Sequence, residues 1–182
     1  DGLPARHNID TGSRSEVTLA RPFVERTKLR QAHPEGVAAV DGWGVGGPAR
    51  SYVIRAKSLS LGEVTIDAPV AGLATQAKGV FSDENFDGNI GSGLLKRFVV
   101  TFDYEHQVMY LRRIATPPAD AGSFDRCGCW LNLGDDGFEI KDIAPDGPAE
   151  AAGLKVGDVV TAIGGAPASG MRLTDARAAM RI

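Results

Sequence analysis

A run of residues near the end of the chain constrains the fold more than any other stretch. From Pro148 to Gly165 it reads Pro-Ala-x-x-Ala-Gly-Leu-x-x-Gly-Asp-x-Val-x-x-Ile-x-Gly. A proline followed by alanines predicts a short helix, because proline is tolerated in the first helical turn. Gly153 predicts the end of that helix, and the apolar residues beyond Gly157 predict a buried strand. Small residues are expected in this run because the helix, the turn and the strand follow one another closely.

This run closely resembles the pattern of PDZ domains, and we assign residues 127–182 to such a domain. The resemblance implies a peptide groove between a strand and the helix predicted at 173–180. An extended peptide would add there as a further strand, and backbone N–H groups of the preceding loop would bind its terminal carboxylate. The residues expected to bind the peptide are Gly128, Cys129, Trp130 and Leu131.

Trp130 departs from the Gly-apolar-Gly-apolar loop that is usual in that family, which leaves capture of the carboxylate open. The alternative is that Trp130 covers the core of the domain or a contact between domains. The sequence stops directly after the predicted helix, where PDZ domains have one more strand. We therefore expect the last strand of this domain to be missing.

A second motif, Asp10-Thr11-Gly12-Ser13, lies near the start of the chain. Alone it predicts only a polar turn, since turns prefer these residue types. Further on come Asn89-Ile90-Gly91 and then a Leu-Leu-x-x-Phe run that begins at Leu94. Together the segments resemble the retropepsin-like aspartic peptidases over residues 1–115, including bacterial members in which a short helix and a closing hairpin end the lobe.

The resemblance implies a mainly β fold with two units. A retropepsin-like acid-protease β-barrel lobe would occupy residues 1–115, followed by a linker at 116–126 and the small α+β PDZ domain. Both units would be truncated at the ends of the chain. Gly91 would pack under the aspartate loop. The implied catalytic residues are Asp10, Thr11, Gly12 and Ser13.

Each of these four residues has an implied role. Asp10 would be the catalytic carboxylate, and Thr11 would bond across to the matching residue of a second lobe. Gly12 would allow the close turn, and Ser13 would support the carboxylate.

Residues 41–48 are too rich in glycine to predict a regular element. In the family pattern this stretch takes the place of a flap that folds over the substrate. The implied substrate-binding residues are Trp43 and Gly44. For Trp43, the alternative is a tryptophan packed on the core of the lobe.

An aspartic peptidase activates water between two carboxylates that share a proton, because two like charges so close together cannot both ionise. This chain contains one Asp-Thr-Gly sequence. The second aspartate would come from a second copy of the chain or from an upstream lobe, and the start at Asp1 favours the upstream lobe. The chain alone is then expected to be inactive unless it dimerises.

Two functions follow from these resemblances. The first is hydrolysis of peptide bonds by an aspartic endopeptidase lobe, with a PDZ module that binds peptide or protein C-termini. The second is a noncatalytic peptide-binding scaffold that uses both units. Resemblance to such proteins implies a periplasmic or secreted location, although no signal peptide is visible. No cofactor is expected.

Composition and spacing limit the partners. The net charge of −3 with mixed signs gives no support for nucleic-acid binding. No apolar run approaches the length of a membrane span. The acidic stretch at 79–88 lacks the ligand spacing of a calcium loop, and we predict a solvated loop there. The partners that the resemblance implies are a peptide or protein substrate and a second aspartate-bearing lobe.

Cys127 and Cys129 are the two cysteines of the chain. They could form a redox pair or half of a metal site, but the three histidines are scattered without ligand spacing. We interpret the cysteines as two small apolar residues in a strand or loop. Alternation in a strand would place both on one face without favouring the strained short bridge between them. No metal site is predicted.

The remaining patterns predict local elements. A short strand delivers Asp10, and an extended segment from Val17 passes into a helix that has Pro22 near its first turn and reaches Leu29. Further strands are predicted at 50–60 and 63–66, joined by a turn at Leu61-Gly62. In the last unit we predict a strand at 137–143, a turn at 144–147 and a helix at 148–152.

Overall fold

The computed structural model describes residues 2–44 and 46–181, and its fold is mainly β. The N-terminal lobe contains β1 His7–Asp10, β2 Val17–Leu19, α1 Arg21–Thr27, α2 Leu29–Ala32, β3 Val37–Gly44, β4 Gly47–Arg55, β5 Ser58–Leu61, β6 Val64–Asp67, β7 Val70–Ala74, a 3-10 turn Val80–Ser82, β8 Gly88–Gly91, α3 Ser92–Leu95, β9 Phe98–Asp103 and β10 Val108–Arg113. The C-terminal domain contains β11 Cys129–Leu133, β12 Phe138–Ile143, α4 Pro148–Ala151, β13 Val159–Val160, β14 Ala162–Ile163, β15 Ala166–Pro167 and α5 Leu173–Ala179.

The N-terminal lobe is built on a six-stranded sheet with the order β1-β8-β2-β7-β4-β3. Strand β8 lies between β1 and β2, parallel to the first and antiparallel to the second. This register places Asp10 opposite Gly91 and Asn8 opposite Asn89. Two motifs that are far apart in the sequence therefore meet side by side at one end of the sheet.

Each unit has its own hydrophobic core. In the N-terminal lobe, Leu73, Ile90 and Leu94 are almost fully buried, and they form one cluster with side chains from α1, β4 and β9. In the C-terminal domain, Phe138 and Ile140 of β12 pack with Ala176 of α5. Burial of each large side chain stabilises its unit by about 1.5–3 kcal/mol. The Asp10 loop and the predicted peptide groove therefore pack on two different cores.

The helix predicted after Val17 is present as α1, although Leu29, its predicted end, belongs to the separate helix α2. Proline stands at the start of α1, and the helix buries Phe23 and Val24. It ends at Lys28, which has a left-handed backbone with φ of 57°. The closing hairpin β9–β10, the strand β12, the short helix α4 and the helix α5 are confirmed as well.

The prediction of an irregular stretch at 41–48 is wrong, because strands β3 and β4 continue through it as a hairpin. Residue 45 lies outside the described residues. Gly42 faces Ala49 across the ladder, and Gly72 on the next strand but one leaves room for the side chain of Asp41. The glycines make room for the side chains of neighbouring residues, and they do not interrupt the strands.

Two other predictions need correction. The strand predicted at 50–60 is two strands, because β4 ends at Arg55 and β5 starts at Ser58. The acidic loop at 79–88 is not solvated throughout, since Phe86 and Asp87 are buried. Asp87 accepts hydrogen bonds from the Arg6 N–H and the Arg26 guanidinium.

The strand that we expected to be buried in the C-terminal domain is short and largely exposed. Val159 of β13 keeps 49% of its surface exposed, and Val156 before it keeps 62%. Only Val160 and Ile163 of this region pack against the core of the domain.

The predicted linker is held against the N-terminal lobe. The Gly122 N–H donates to Oε1 of the buried Glu16, at 3.0 Å, and the same carboxylate pairs with Arg97 at 2.5 Å. Asp120 forms ion pairs with both Lys96 of the lobe and Arg181 beyond α5. These bonds connect the two units through the segment between them.

Within the described residues, no helix combines the length and the hydropathy that crossing a membrane requires.

Replacing Gly91 by alanine is expected to destabilise the N-terminal lobe by about 1–3 kcal/mol. A Cβ there would overlap the carbonyl oxygen of Ser15 and lie 2.8 Å from that of Ser13, and both belong to rigid backbone. Chemical denaturation measures the change. Gly44→Ala is the control, because its Cβ would meet nothing within 4 Å. Equal losses in the two variants would contradict the close packing beneath the loop.

Candidate functional site

The Asp10 carboxylate is held by the turn that follows it. Its Oδ1 accepts hydrogen bonds from the N–H groups of Gly12, at 3.0 Å, and Ser13, at 3.1 Å. The Ser13 N–H also lies 3.1 Å from the Asp10 carbonyl oxygen, which closes the turn. Asp10 is half-buried, whereas Thr11 and Gly12 are exposed. The turn thus presents a fixed carboxylate at an accessible edge.

Strand β8 supports this loop from below. Nδ2 of Asn89 lies 3.3 Å from Oδ2 of Asp10 and can donate to it. The N–H and hydroxyl of Ser92 donate to the Ser13 carbonyl oxygen at 2.7 and 2.6 Å. Both carboxylate oxygens of Asp10 therefore have partners, and the second motif supplies one of them. Asn89 was not among the predicted catalytic residues, although it belongs to the motif Asn89-Ile90-Gly91.

The hairpin β3–β4 reaches the C-terminal domain at its tip. The indole of Trp43 stacks on that of Trp130, with ring centroids 6.1 Å apart and an angle of 24° between the planes. Trp43 keeps 44% of its surface exposed, and Trp130 keeps 7%. The hydroxyl of Ser15 lies 3.4 Å from the Asp41 carbonyl oxygen and links the Asp10 loop to the same hairpin. Trp43 therefore contacts the second unit in this arrangement.

Trp130 is enclosed by groups from both units. The guanidinium groups of Arg14 and Arg177 lie 4.4 and 4.9 Å from the centre of its ring, within range for cation–π attraction. Partial burial and the nearby charges of Arg177 and Arg181 lower the pKa of Arg14 to about 10, so Arg14 is still charged at neutral pH. The alternatives for Trp130 were a residue that covers the core of its domain and a residue in a contact between domains. The structure shows the contact between the two units. No sequence signal pointed to either guanidinium.

An ion pair adds to this contact. Arg50 of β4 pairs with Asp142 of β12, and Asp142 is buried. Asp142 stands opposite Trp130 in the β11–β12 ladder, so the pair and the aromatic stack fix the same part of the C-terminal domain.

The predicted peptide-binding residues come together at the start of β11. This strand pairs with β12 on one side, and α5 packs near its other side. Nη2 of Arg177 donates to the Leu131 carbonyl oxygen at 2.9 Å, so a guanidinium lies between strand and helix. The side chain of Leu131 is buried in the core. A peptide that adds to β11 would use its backbone and displace Arg177 from it.

A cleft of about 1020 Å³ separates the two units. Asp10, Thr11, Gly12 and Trp43 are not among the described residues that line it. Burial raises the pKa of Asp125, although the Cys127 N–H and Arg14 oppose this. The groups that line the cleft include Arg14, Asp41, Asp125, Gly128, Trp130 and Arg177.

Asp41 is the most perturbed carboxyl group of the cleft. Its Oδ2 is shielded from solvent and has no hydrogen-bond partner in the described part of the chain. Burial raises the pKa of Asp41 to about 6, against the opposing effects of the Ser51 hydroxyl, the backbone and Arg14. No pattern in the sequence points to Asp41, since its burial depends on Gly72 of another strand.

Titration of Asp41 is expected to make the free energy of unfolding fall as the pH rises from about 4 to about 6. The folded state holds the proton over this interval and the unfolded state does not, so the loss reaches at most about 3 kcal/mol. Urea denaturation across this range should show the fall in the wild type and in the exposed control Asp67→Asn. Asp41→Asn should lack this part of the slope, and an unchanged slope would contradict the assignment.

Nothing among residues 2–44 and 46–181 groups three or more His, Cys, Asp or Glu side chains in a way that could hold a metal ion.

Comparison with known proteins identifies one family. The model of the PDZ domain matches residues 120–181, which include the linker end and all elements from β11 to α5. No curated protein and no solved structure matches the chain significantly. The chain thus contains a PDZ domain, and such a domain indicates binding of a peptide or protein partner.

Proposed function

We propose that the chain is a lobe of an aspartic endopeptidase whose PDZ domain binds the peptide or protein to be cleaved. The observation that carries this proposal is the Asp10 carboxylate, which is held at both oxygens by Gly12, Ser13 and Asn89. A carboxylate that must take a proton from water in a defined direction requires such support. The strand order β1-β8-β2, which brings Gly91 under the loop, agrees with the resemblance on which the proposal rests.

The mechanism needs a second carboxylate facing Asp10. One of the pair is ionised and takes a proton from the attacking water, while the other donates its proton to the oxygen of the scissile carbonyl. The chain contains one Asp-Thr-Gly, so a second lobe must supply the partner. The source that this sequence itself offers is another copy of the chain, with the two Asp10 loops related by a two-fold axis.

Hydrolysis of an unfolded protein substrate between about pH 3 and pH 7 tests this function. We expect a bell-shaped pH profile and inhibition by a peptide that carries a tetrahedral hydroxyl group in place of the scissile bond, since such a group mimics the transition state. The assay is run at chain concentrations at which sedimentation shows paired lobes. Intact peptide binding without any cleavage under these conditions would overturn the peptidase proposal.

That outcome would favour the second candidate function, a noncatalytic peptide-binding scaffold. One observation supports it. The cleft between the units is lined by the PDZ loop and by strand β3, whereas Asp10 does not line it. A peptide held in the cleft would then contact Trp130 and its neighbours without reaching a reactive group.

A further inference from the structure

The two thiols of the chain face each other on the loop that leads into β11. The Sγ atoms of Cys127 and Cys129 lie 2.8 Å apart, and both cysteines are free and half-buried. Gly128 between them has φ of 75°, in the left-handed region. This bend, and not the alternation of side chains along a strand, brings the two thiols together.

The loop around the thiols is fixed at three points. The Cys127 N–H donates to Oδ1 of Asp125 at 2.8 Å, and the Cys127 carbonyl oxygen accepts the N–H of Ala149 at 2.9 Å. The Gly128 carbonyl oxygen accepts the N–H of Ala144 at 2.8 Å. The thiols are therefore held in contact by the backbone, and closing a bond between them requires little movement of the chain.

The two sulfur atoms are not equivalent. A hydrogen bond from the Cys129 thiol lowers the pKa of Cys127, although burial and Asp125 oppose this. Cys127 lies in the loop before β11, whereas Cys129 begins the strand and packs against the core of the domain. Because the thiolate is the nucleophile in disulfide exchange, Cys127 is suited to attack and Cys129 to resolve the product. Cys127 is only half-buried, so a reagent can approach it from solvent, and Cys129 beside it lines the cleft between the units.

We propose that Cys127 and Cys129 form a thiol–disulfide exchange site that reduces a small or protein disulfide and closes an internal bond between the two cysteines. The Cys127 thiolate attacks one sulfur of the external disulfide and releases the other half as a thiolate. Cys129 then loses its proton and attacks Sγ of Cys127, which releases the second half. Two thiols are oxidised, one disulfide is reduced, and the released halves take up the two protons as thiols.

This site does not depend on Asp10, and its redox state acts on the peptide-binding strand. Cys129 is the first residue of β11, and its side chain packs against the core of the PDZ domain. The next residue is Trp130, which carries the contact with Trp43. Closing the bond therefore constrains the residue that precedes the contact between the units.

The test places the whole chain in a series of reduced and oxidised glutathione mixtures, followed by acid quenching, alkylation and mass measurement. The reduced protein should take up two alkyl groups and the oxidised protein none, with both thiols lost in a single transition and no glutathione attached. Persistence of both alkylatable thiols at the oxidising end would overturn the proposal. So would a wild type that accumulates glutathione adducts.

Two matched variants separate the roles. Cys127→Ser and Cys129→Ser keep the size of the side chain and should stop at a mixed disulfide with glutathione, because each lacks its resolving partner. With limiting iodoacetamide, the cysteine left in Cys129→Ser should react several-fold faster than the one left in Cys127→Ser. Equal rates would contradict the assignment of Cys127 as the attacking group.

Discussion

Peptide hydrolysis by the paired chain is expected to fall by at least about a thousandfold when Asp10 is replaced by Asn. An amide cannot accept the proton of the attacking water, whereas its oxygen can still accept the N–H groups of Gly12 and Ser13. The fold should therefore persist. Initial cleavage rates measured at equal concentrations of folded protein give the change.

The matched control is Asp67→Asn, which makes the same chemical change at an exposed position at the end of β6. It should cleave at the wild-type rate. Peptide binding by the PDZ domain should be equal in all three proteins, because Asp10 lies in the other unit. Cleavage by Asp10→Asn at the wild-type rate would show that Asp10 takes no part in the reaction.

The second large effect concerns the contact between the units. Replacing Trp130 by alanine is expected to destabilise the protein by about 3–5 kcal/mol, as removal of a buried tryptophan does. The change removes the stack with Trp43 and leaves Arg14 and Arg177 without the ring on which they lie. Chemical denaturation measures the loss, and small-angle scattering would show the units separating.

Trp43→Ala serves as the comparison, because Trp43 is the exposed member of the same pair. Its removal deletes the stack but leaves the core of the PDZ domain intact, so we expect a cost of about 0.5–1.5 kcal/mol. If the two variants lose the same stability, Trp130 does not have the central position that its burial indicates.

Sequence patterns predicted the elements that depend on local chemistry. Proline at the start of α1 and α4, and glycine after α4, mark helix boundaries through backbone geometry that needs no knowledge of the rest of the fold. The PDZ domain was predicted in the same way, because the run from Pro148 to Gly165 encodes several successive turns and elements.

The misassigned elements depend on contacts between distant residues. The glycines at 42, 44 and 47 were interpreted as breaking regular structure, whereas they lie in a hairpin that pairs with β7 through β4. The apolar residues around Val159 predicted a buried strand, but little of the described chain packs over them. Local composition does not show whether a residue distant in the sequence will pack against these positions or leave them exposed.

In the candidate site, too, the parts that follow from local motifs were predicted and the parts that depend on distant contacts were not. The loop at Asp10 follows from a short motif, and its partner strand β8 follows from a second motif. The enclosure of Trp130 joins Arg14 of one unit to Arg177 of the other, and no spacing in the sequence relates these residues. The contact of Cys127 with Cys129 depends on the left-handed backbone of Gly128.

Mixing wild-type chain with Asp10→Asn chain tests most directly whether two Asp10 loops form one catalytic site. The chains are combined in equal amounts, exchanged to equilibrium and assayed for peptide hydrolysis. Because a mixed pair has one carboxylate, activity should fall to about one quarter of that of the same total amount of wild type, which is the fraction of pairs with two Asp10 residues. Activity of about one half would mean that each chain acts alone, and would contradict the shared site.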